Sequence, residues 1–298
     1  VLGPAGTRRY HLYRPPGLQL QPGEKLPLMV MLHGCGQNGQ GFATSTRMNR
    51  LAARERFLVL YPEQDRLANA QGCWNWYEQR SGKADAEAAT LMMAVDQVKL
   101  FYPVDRERVA VAGLSAGASM AALLATRYPH RFQAVAMHSG VAPGAAKSSA
   151  TALGAMRGYR APPTLATAIG KAMGAAAVVT TLPPLLVLHG DADSVVSVSN
   201  AAHSAAVWAL ATRARPGVER TLQRGQRHAM AVIDYKRQGR TFVTLCVIKG
   251  LAHAWSGGAA RLAFSDAMGP DATRMIWAFA TRQFAASAKN PMPLDLPP

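Results

Sequence analysis

The sequence predicts an α/β fold with a mostly parallel central sheet and helices on both faces. Three observations carry that expectation. Short apolar runs alternate with longer helical stretches, the runs are continuous rather than alternating in polarity, and each ends in a loop bearing Gly, Ser, Asp or His. A strand covered on both faces has no solvated side, so it reads as an unbroken apolar run. Strands separated by helices pair in parallel through crossover connections.

Six runs read as buried strands: residues 28–32, 57–61, 109–112, 134–137, 185–188 and 243–248. Residues 7–14 alternate enough for an antiparallel edge strand. Helical spacing occupies 84–102, 116–128, 200–213 and 271–284. In such a sheet ligands bind beyond the carboxyl ends of the strands, where the polar loops fall. Residues 142–182 break the rhythm with Ala, Gly and the pair Pro162–Pro163, stop at the pair Pro183–Pro184, and are expected to form a lid or flank inserted into one domain spanning 1–298. The Pro-rich stretch 289–298 is expected to be a loose tail.

Composition narrows the classes further. With 49% hydrophobic residues the chain has ample material for a core, which excludes a disordered chain. No apolar run approaches the ~20 residues that span a bilayer. The formal charge of +16, from 33 Lys and Arg against 17 Asp and Glu, would attract polyanions at low salt. These cations are dispersed and no nucleic-acid-binding motif accompanies them, so no specific nucleic-acid partner is expected. Three Cys are too few for a disulfide scaffold. Cys246 lies in an apolar run and reads as a buried strand residue; Cys35 and Cys73 sit in Gly-flanked loops, where pairing stays open. The start at Val1 raises the expectation that a signal peptide preceded it, and so an extracellular or periplasmic location, with the cytoplasm as the alternative.

The chemistry concentrates in four loops. Residues 109–120 read as an apolar strand, the turn Gly113-Leu-Ser115-Ala-Gly117 and an Ala-rich helix. This is the arrangement that forces a Ser hydroxyl out above a sheet, with Gly on both sides because side chains there would collide with the strand and helix. A Ser hydroxyl is a weak nucleophile until a base removes its proton, so a His and an acid that orients it are needed. Both follow in chain order. Asp191 and Asp193 lie after the run 185–188, and Asp193 is preferred because Val195 and Val196 can hold it over the sheet while Asp191 caps the loop. His253 lies after the run 243–248 in a Gly-rich loop, whereas His203 falls in a helical stretch and His228 in an Arg-rich one. The loop His33-Gly-Cys35 after the first parallel strand is placed to lend the N–H of Cys35 to an oxyanion hole, with that of Ala116 as the second donor and His33 shaping the loop. No His-x-His or His-Glu-x-x-His pattern points to a metal, and this chemistry needs no cofactor.

Taken together, the stretches Met31-Leu-His-Gly-Cys35, Cys73-Trp-Asn-Trp76, Gly113-Leu-Ser-Ala-Gly117 with Met120, His189-Gly-Asp-Ala-Asp193 and His253-Ala-Trp255 with Gly257 and Gly258 resemble the polyhydroxybutyrate-depolymerase-like esterases, a family that includes feruloyl and acetylxylan esterases. The resemblance implies an α/β-hydrolase fold and ester hydrolysis through an acyl-enzyme on Ser115, Asp193 and His253. Polyhydroxyalkanoate or 3-hydroxybutyrate-type esters are the first expected substrates; plant polysaccharide esters, or acyl transfer to an alcohol, are the alternatives. It supports Asp193 over Asp191 and implies that Cys35 and Cys73 lie close enough to bond. Trp74, Trp76 and Trp255 are expected to wall the substrate, against the alternative that such aromatic clusters pack in the core. The oligomeric state is not legible.

Overall fold

The computed structural model describes residues 1–159 and 182–289. Its centre is a ten-stranded sheet built from β1 (Tyr10–Tyr13), β2 (Leu26–Leu32), β3 (Leu58–Pro62), β4 (Val104–Leu114), β5 (Ala134–His138), β6 (Leu185–Gly190), β7 (Arg215–Pro216), β8 (Arg220–Leu222), β9 (Met230–Arg237) and β10 (Arg240–Ile248). Across the sheet the order is β8-β9-β10-β6-β5-β4-β2-β3-β1, with β7 beside β9. Every pairing from β10 to β3 is parallel. At one edge β1 runs antiparallel to β3, as its alternating pattern predicts, and at the other β8, β9 and β10 form an antiparallel meander.

Helices α1 (Gly39–Thr46), α2 (Met48–Glu55), α3 (Lys83–Phe101), α4 (Ala116–Arg127), α5 (Ser149–Met156), α6 (Ser199–Thr212) and α7 (Ala272–Lys289) surround the sheet. Strand β2 shows why the apolar runs are unbroken. Its Leu28, Val30 and Leu32 join one core with Val95 of α3, Leu124 of α4 and Trp208 of α6. Its Met29 and Met31 join the other, with Phe42 of α1, Met48 of α2 and Phe279 of α7. Helix α4 is buried from Ala116 to Thr126, and its Ala-rich composition lets it approach the strands closely.

Of the elements that escaped the sequence pattern, α1, α2 and β9 are the most telling. Asn38 caps α1 by accepting the Gly41 N–H at 2.7 Å, a signal hidden in a Gly-rich stretch. Helix α2 follows after one left-handed residue, Arg47. Strand β9 carries Asp234, Lys236 and Arg237, which broke the apolar run. The clue to its hairpin was Gln238-Gly239, both at positive φ (49° and 77°), the conformation that two-residue hairpin turns demand. Cys246 is buried in β10, where burial pushes its thiol up to about 12. Most of the inserted flank expected at 142–182, residues 160–181, lies outside the described residues, as do 290–298 of the expected tail. Among the described residues no helix is long and apolar enough to cross a membrane.

One buried ion pair ties the amino-terminal segment to α3, and its carboxylate reaches on to the loop after β3. Arg8 (3% exposed) donates to the fully buried Glu87 at 3.1 Å. Glu87 also accepts from Gln64 Nε2 at 2.6 Å and from the Asn75 backbone at 2.6 Å. Removing the carboxylate takes the counter-charge from Arg8, which keeps only the Ala5 and Thr7 carbonyls, and an acceptor from Gln64 and Asn75. Glu87→Ala should therefore lower stability by about 3–5 kcal/mol, read as a shift of the urea midpoint at unchanged slope.

Candidate active site

The site begins where β4 meets α4. Ser115, between them, has φ 56° and ψ −121°, a region that residues with a Cβ rarely occupy. Its neighbours explain how it is held there. A Cβ at position 113 would stand 2.3 Å from the Gly117 backbone, and one at 117 would stand 2.1 Å from the Leu32 carbonyl oxygen. Only glycine on both flanks lets strand and helix approach this closely. From the other side, the Ser115 N–H donates to the His138 carbonyl at 2.8 Å. Because no rotamer can relieve a clash with backbone, Gly117→Ala should destabilise the fold by more than about 4 kcal/mol. Equilibrium urea unfolding of the soluble fraction checks it.

Two strands away, β6 ends at Gly190, where a Cβ would lie 1.9 Å from the Leu251 carbonyl. This close approach brings the loop after β6 against the loop after β10. Asp193 sits in the first loop and His253 in the second, and Asp193 Oδ2 accepts from His253 Nδ1 at 2.7 Å. The other carboxylate oxygen accepts the N–H groups of Val195 (2.9 Å) and Val196 (2.8 Å). His189 Nε2 lies 3.3 Å from Oδ2 and 2.9 Å from the Val196 carbonyl. Burial alone would raise the Asp193 pKa. Hydrogen bonds from His189 and His253, the charge of His253 and the Val196 N–H outweigh it and hold the carboxyl well below the usual carboxylate range. Asp191, in contrast, accepts the Gly250 N–H at 2.6 Å and braces the loop.

The loop after β2 runs beside the elbow: a Cβ at Gly34 would be 3.6 Å from that of Ser115. Cys35 is bonded to Cys73, with S–S 2.07 Å. The flanking amides are engaged, Gly34 N–H by Gln37 Oε1 at 2.8 Å and Gly36 N–H by the Gln71 carbonyl at 3.0 Å. Among the described residues the N–H groups of Cys35 and Ala116 have no acceptor. His33 shapes this loop: its Nδ1 bonds the Gly34 carbonyl at 2.8 Å and its Nε2 accepts the Gln64 N–H at 3.1 Å. Burial lowers its pKa, so the ring is neutral.

The tryptophans call for a correction. Trp74 and Trp255 are fully buried and cannot wall a solvent-accessible site. Each has found a partner for its indole N–H inside the protein, Trp74 at the His33 carbonyl (3.0 Å) and Trp255 at Thr273 Oγ1 (3.1 Å). A buried indole with a satisfied N–H gains more from packing than from exposure. Trp76, 7% exposed, borders a small pocket of about 40 Å³ with Val141 and Trp208.

Sequence reasoning missed His138. This fully buried ring stacks on Trp255 with centroids 5.2 Å apart, and its Nε2 accepts the Ser256 N–H at 3.1 Å. Its Nδ1 faces Ser139 Oγ at 3.1 Å. Burial, and next the charges of His189 and His253, push its pKa down to about 3, with Asp193 opposing. The signal was a repeat: His33, His138 and His189 each stand at the end of an apolar strand run, and all three are fully buried.

Comparison with known proteins adds to this geometry. The family model described as Esterase PHB depolymerase matches residues 8–214. Poly(3-hydroxyalkanoate) depolymerase C of Paucimonas lemoignei is 31% identical over 58% of this chain and 42% of its own length. A probable acetylxylan esterase A of Neosartorya fischeri is 28% identical over 69% of this chain and 56% of its own. The chain thus matches about half the length of these curated relatives. An acetyl xylan esterase structure from Aspergillus awamori superposes with TM-score 0.69 at 20% identity, covering 85% of this chain and 91% of that one. That likeness is one of fold.

Proposed function

This chain belongs to the PHB depolymerase esterase family, and from that membership we propose that it is a serine carboxylesterase working through an acyl-enzyme. The observation that carries the reading is the 2.7 Å pairing of Asp193 with His253 Nδ1, in loops beyond the same strand ends as the strained Ser115 elbow. With Nδ1 committed to Asp193, the His253 Nε2 is left to take a proton. Ser115 Oγ attacks the ester carbonyl carbon as Nε2 accepts its proton. The N–H groups of Cys35 and Ala116 face the developing oxyanion. Collapse expels the alcohol, which takes the proton from His253. Water then attacks the acyl-enzyme with His253 again as base, releasing the acid and restoring Ser115.

The depolymerase relative supports hydroxyalkanoate esters as substrates, with 3-hydroxybutyrate oligomers as the simplest. The acetylxylan relative of Neosartorya fischeri, matched over more of this chain, favours acetylated polysaccharide as a second reading. A secreted location is part of the proposal. Its support is the Cys35–Cys73 bond, since disulfides persist in oxidising compartments.

A panel of p-nitrophenyl acetate, 3-hydroxybutyrate trimer, acetylated xylan and methyl ferulate tests the substrate class. A fluorophosphonate label tests the nucleophile. The expected result is hydrolysis of at least one ester, with loss of activity tracking one phosphonyl adduct on the peptide that contains Ser115. Hydrolysis that survives full labelling, or an adduct on another residue, would sink the proposal.

His138 acts in this scheme as a positioning residue. Its carbonyl holds the Ser115 N–H and its ring holds the Ser256 N–H, three residues past His253. His138→Ala should lower kcat about 10- to 100-fold with KM nearly unchanged. His138→Gln, whose amide oxygen can accept the Ser256 N–H, should recover most of the loss. Equal kcat in the two variants would show that the ring merely fills space.

A further inference from the structure

Away from the elbow and the Asp193–His253 pair, a groove of about 660 Å³ opens between the β8–β9–β10 end of the sheet and helix α7. This volume lies within the range of small-molecule pockets. Its floor is apolar and soft: Leu186, Val232 and Cys246 from the sheet, Met275 and Phe279 from the helix, and Met230 at the start of β9. Thioethers adapt to the shape of what lies on them.

The rim is cationic, with five arginines against Asp234 and Asp271. Three of the five are engaged. Arg220 pairs with Asp234 at 2.8 Å, and Arg274 approaches Asp271 at 3.6 Å. Arg227 donates to the carbonyls of Ala267 (3.1 Å) and Gly269 (2.5 Å). Arg224 and Arg282 are exposed and, among the described residues, make no ion pair or side-chain hydrogen bond.

We propose that this groove is a second, non-catalytic ligand site, which takes a carboxylate carrying a short apolar body. The planar guanidinium matches a carboxylate through paired N–H donors, and Arg224 and Arg282 supply that function. The apolar body lies on the Met- and Phe-lined floor. Inorganic phosphate would use the arginines and leave the floor wet. A neutral alcohol of the same length would use the floor and leave the arginines unpaired. Affinity therefore needs both halves of the ligand. The site does not depend on the esterase reading.

Isothermal titration at 150 mM salt tests it with three probes: octanoate, octan-1-ol and inorganic phosphate. Octanoate is expected to bind wild type and Ser115→Ala alike, and the alcohol and phosphate at least about tenfold more weakly. The Arg224→Gln/Arg282→Gln variant changes only exposed rim residues, and should weaken octanoate by at least about tenfold. Met275→Glu, which sets a like charge on the floor, should do the same. Octanoate binding that is absent up to about 10 mM, unchanged in both groove variants, or no tighter than phosphate overturns the proposal.

Discussion

Replacing Ser115 with Ala should cut kcat for a short p-nitrophenyl ester by a factor on the order of 10⁵, with KM within about threefold of wild type. The size of the loss follows from the surroundings. Among the described residues the neighbouring serine hydroxyls are engaged: Ser119 Oγ with the Val141 backbone, Ser139 Oγ with His138 Nδ1 at 3.1 Å, and Ser256 Oγ with the Pro270 carbonyl at 2.6 Å. What should survive is the binding and polarisation proposed for the Cys35 and Ala116 N–H groups, worth about 10³–10⁴ over water in comparable sites. Single-turnover kinetics with an active-site titrant would show no acyl burst. A variant that retained more than a few per cent of the parent rate would place the nucleophile elsewhere.

Asp193→Asn should cost about four orders of magnitude in kcat, through tautomer choice rather than lost structure. The N–H groups of Val195 and Val196 both point at Oδ1, so the carboxamide must put its oxygen there. Its NH₂ then faces His253 Nδ1, which becomes an acceptor. The ring proton moves to Nε2, and the nitrogen that should take the serine proton already carries one. The same substitution has a signature in stability. The folded Asp193 pKa is lowered, so its contribution is present above the ordinary carboxylate range and fades as pH falls toward the folded value. The stability gap between wild type and Asp193→Asn should be widest near pH 7 and shrink as the medium becomes acid. Urea midpoints measured between pH 7 and pH 3 check the sign. His138 contributes in the same direction from a different range: it is kept neutral in the fold, so its contribution is complete above about pH 6.5 and is lost as pH falls toward about 3.

Much of this architecture was legible because it depends on local patterns. The unbroken apolar runs mark strands with no solvated face, and β2 feeds alternate side chains into two cores, as that pattern requires. The elbow was legible because a Gly-x-Ser-x-Gly turn between strand and helix answers a steric demand at short range. The Esterase PHB depolymerase model falls on a family that the motifs already resembled, and the α/β-hydrolase fold came with it.

Other features depend on partners far apart in the chain. The aromatic residues of the Cys73–Tyr77 loop looked equally suited to a pocket wall or a core. Their burial was decided by acceptors elsewhere, the His33 carbonyl for Trp74 and, for Trp255 in its own loop, Thr273. Strand β9 was obscured because its charged residues sit near the outer end of the sheet, where they are tolerated. The arginine-rimmed groove forms only when β8 and β9 fold back beside α7, bringing residues about fifty positions apart to one rim.

By itself the sequence determined the α/β fold class, the strand-to-helix elbow at Ser115 and the family, since each is written in short-range pattern and chain order. Only the tertiary structure decided which aromatics are buried, that His138 spans the serine and histidine loops, and that, among the described residues, two arginines have no anionic partner over an apolar floor. Burial and pairing depend on what the rest of the chain brings alongside a residue, and no local pattern contains that information.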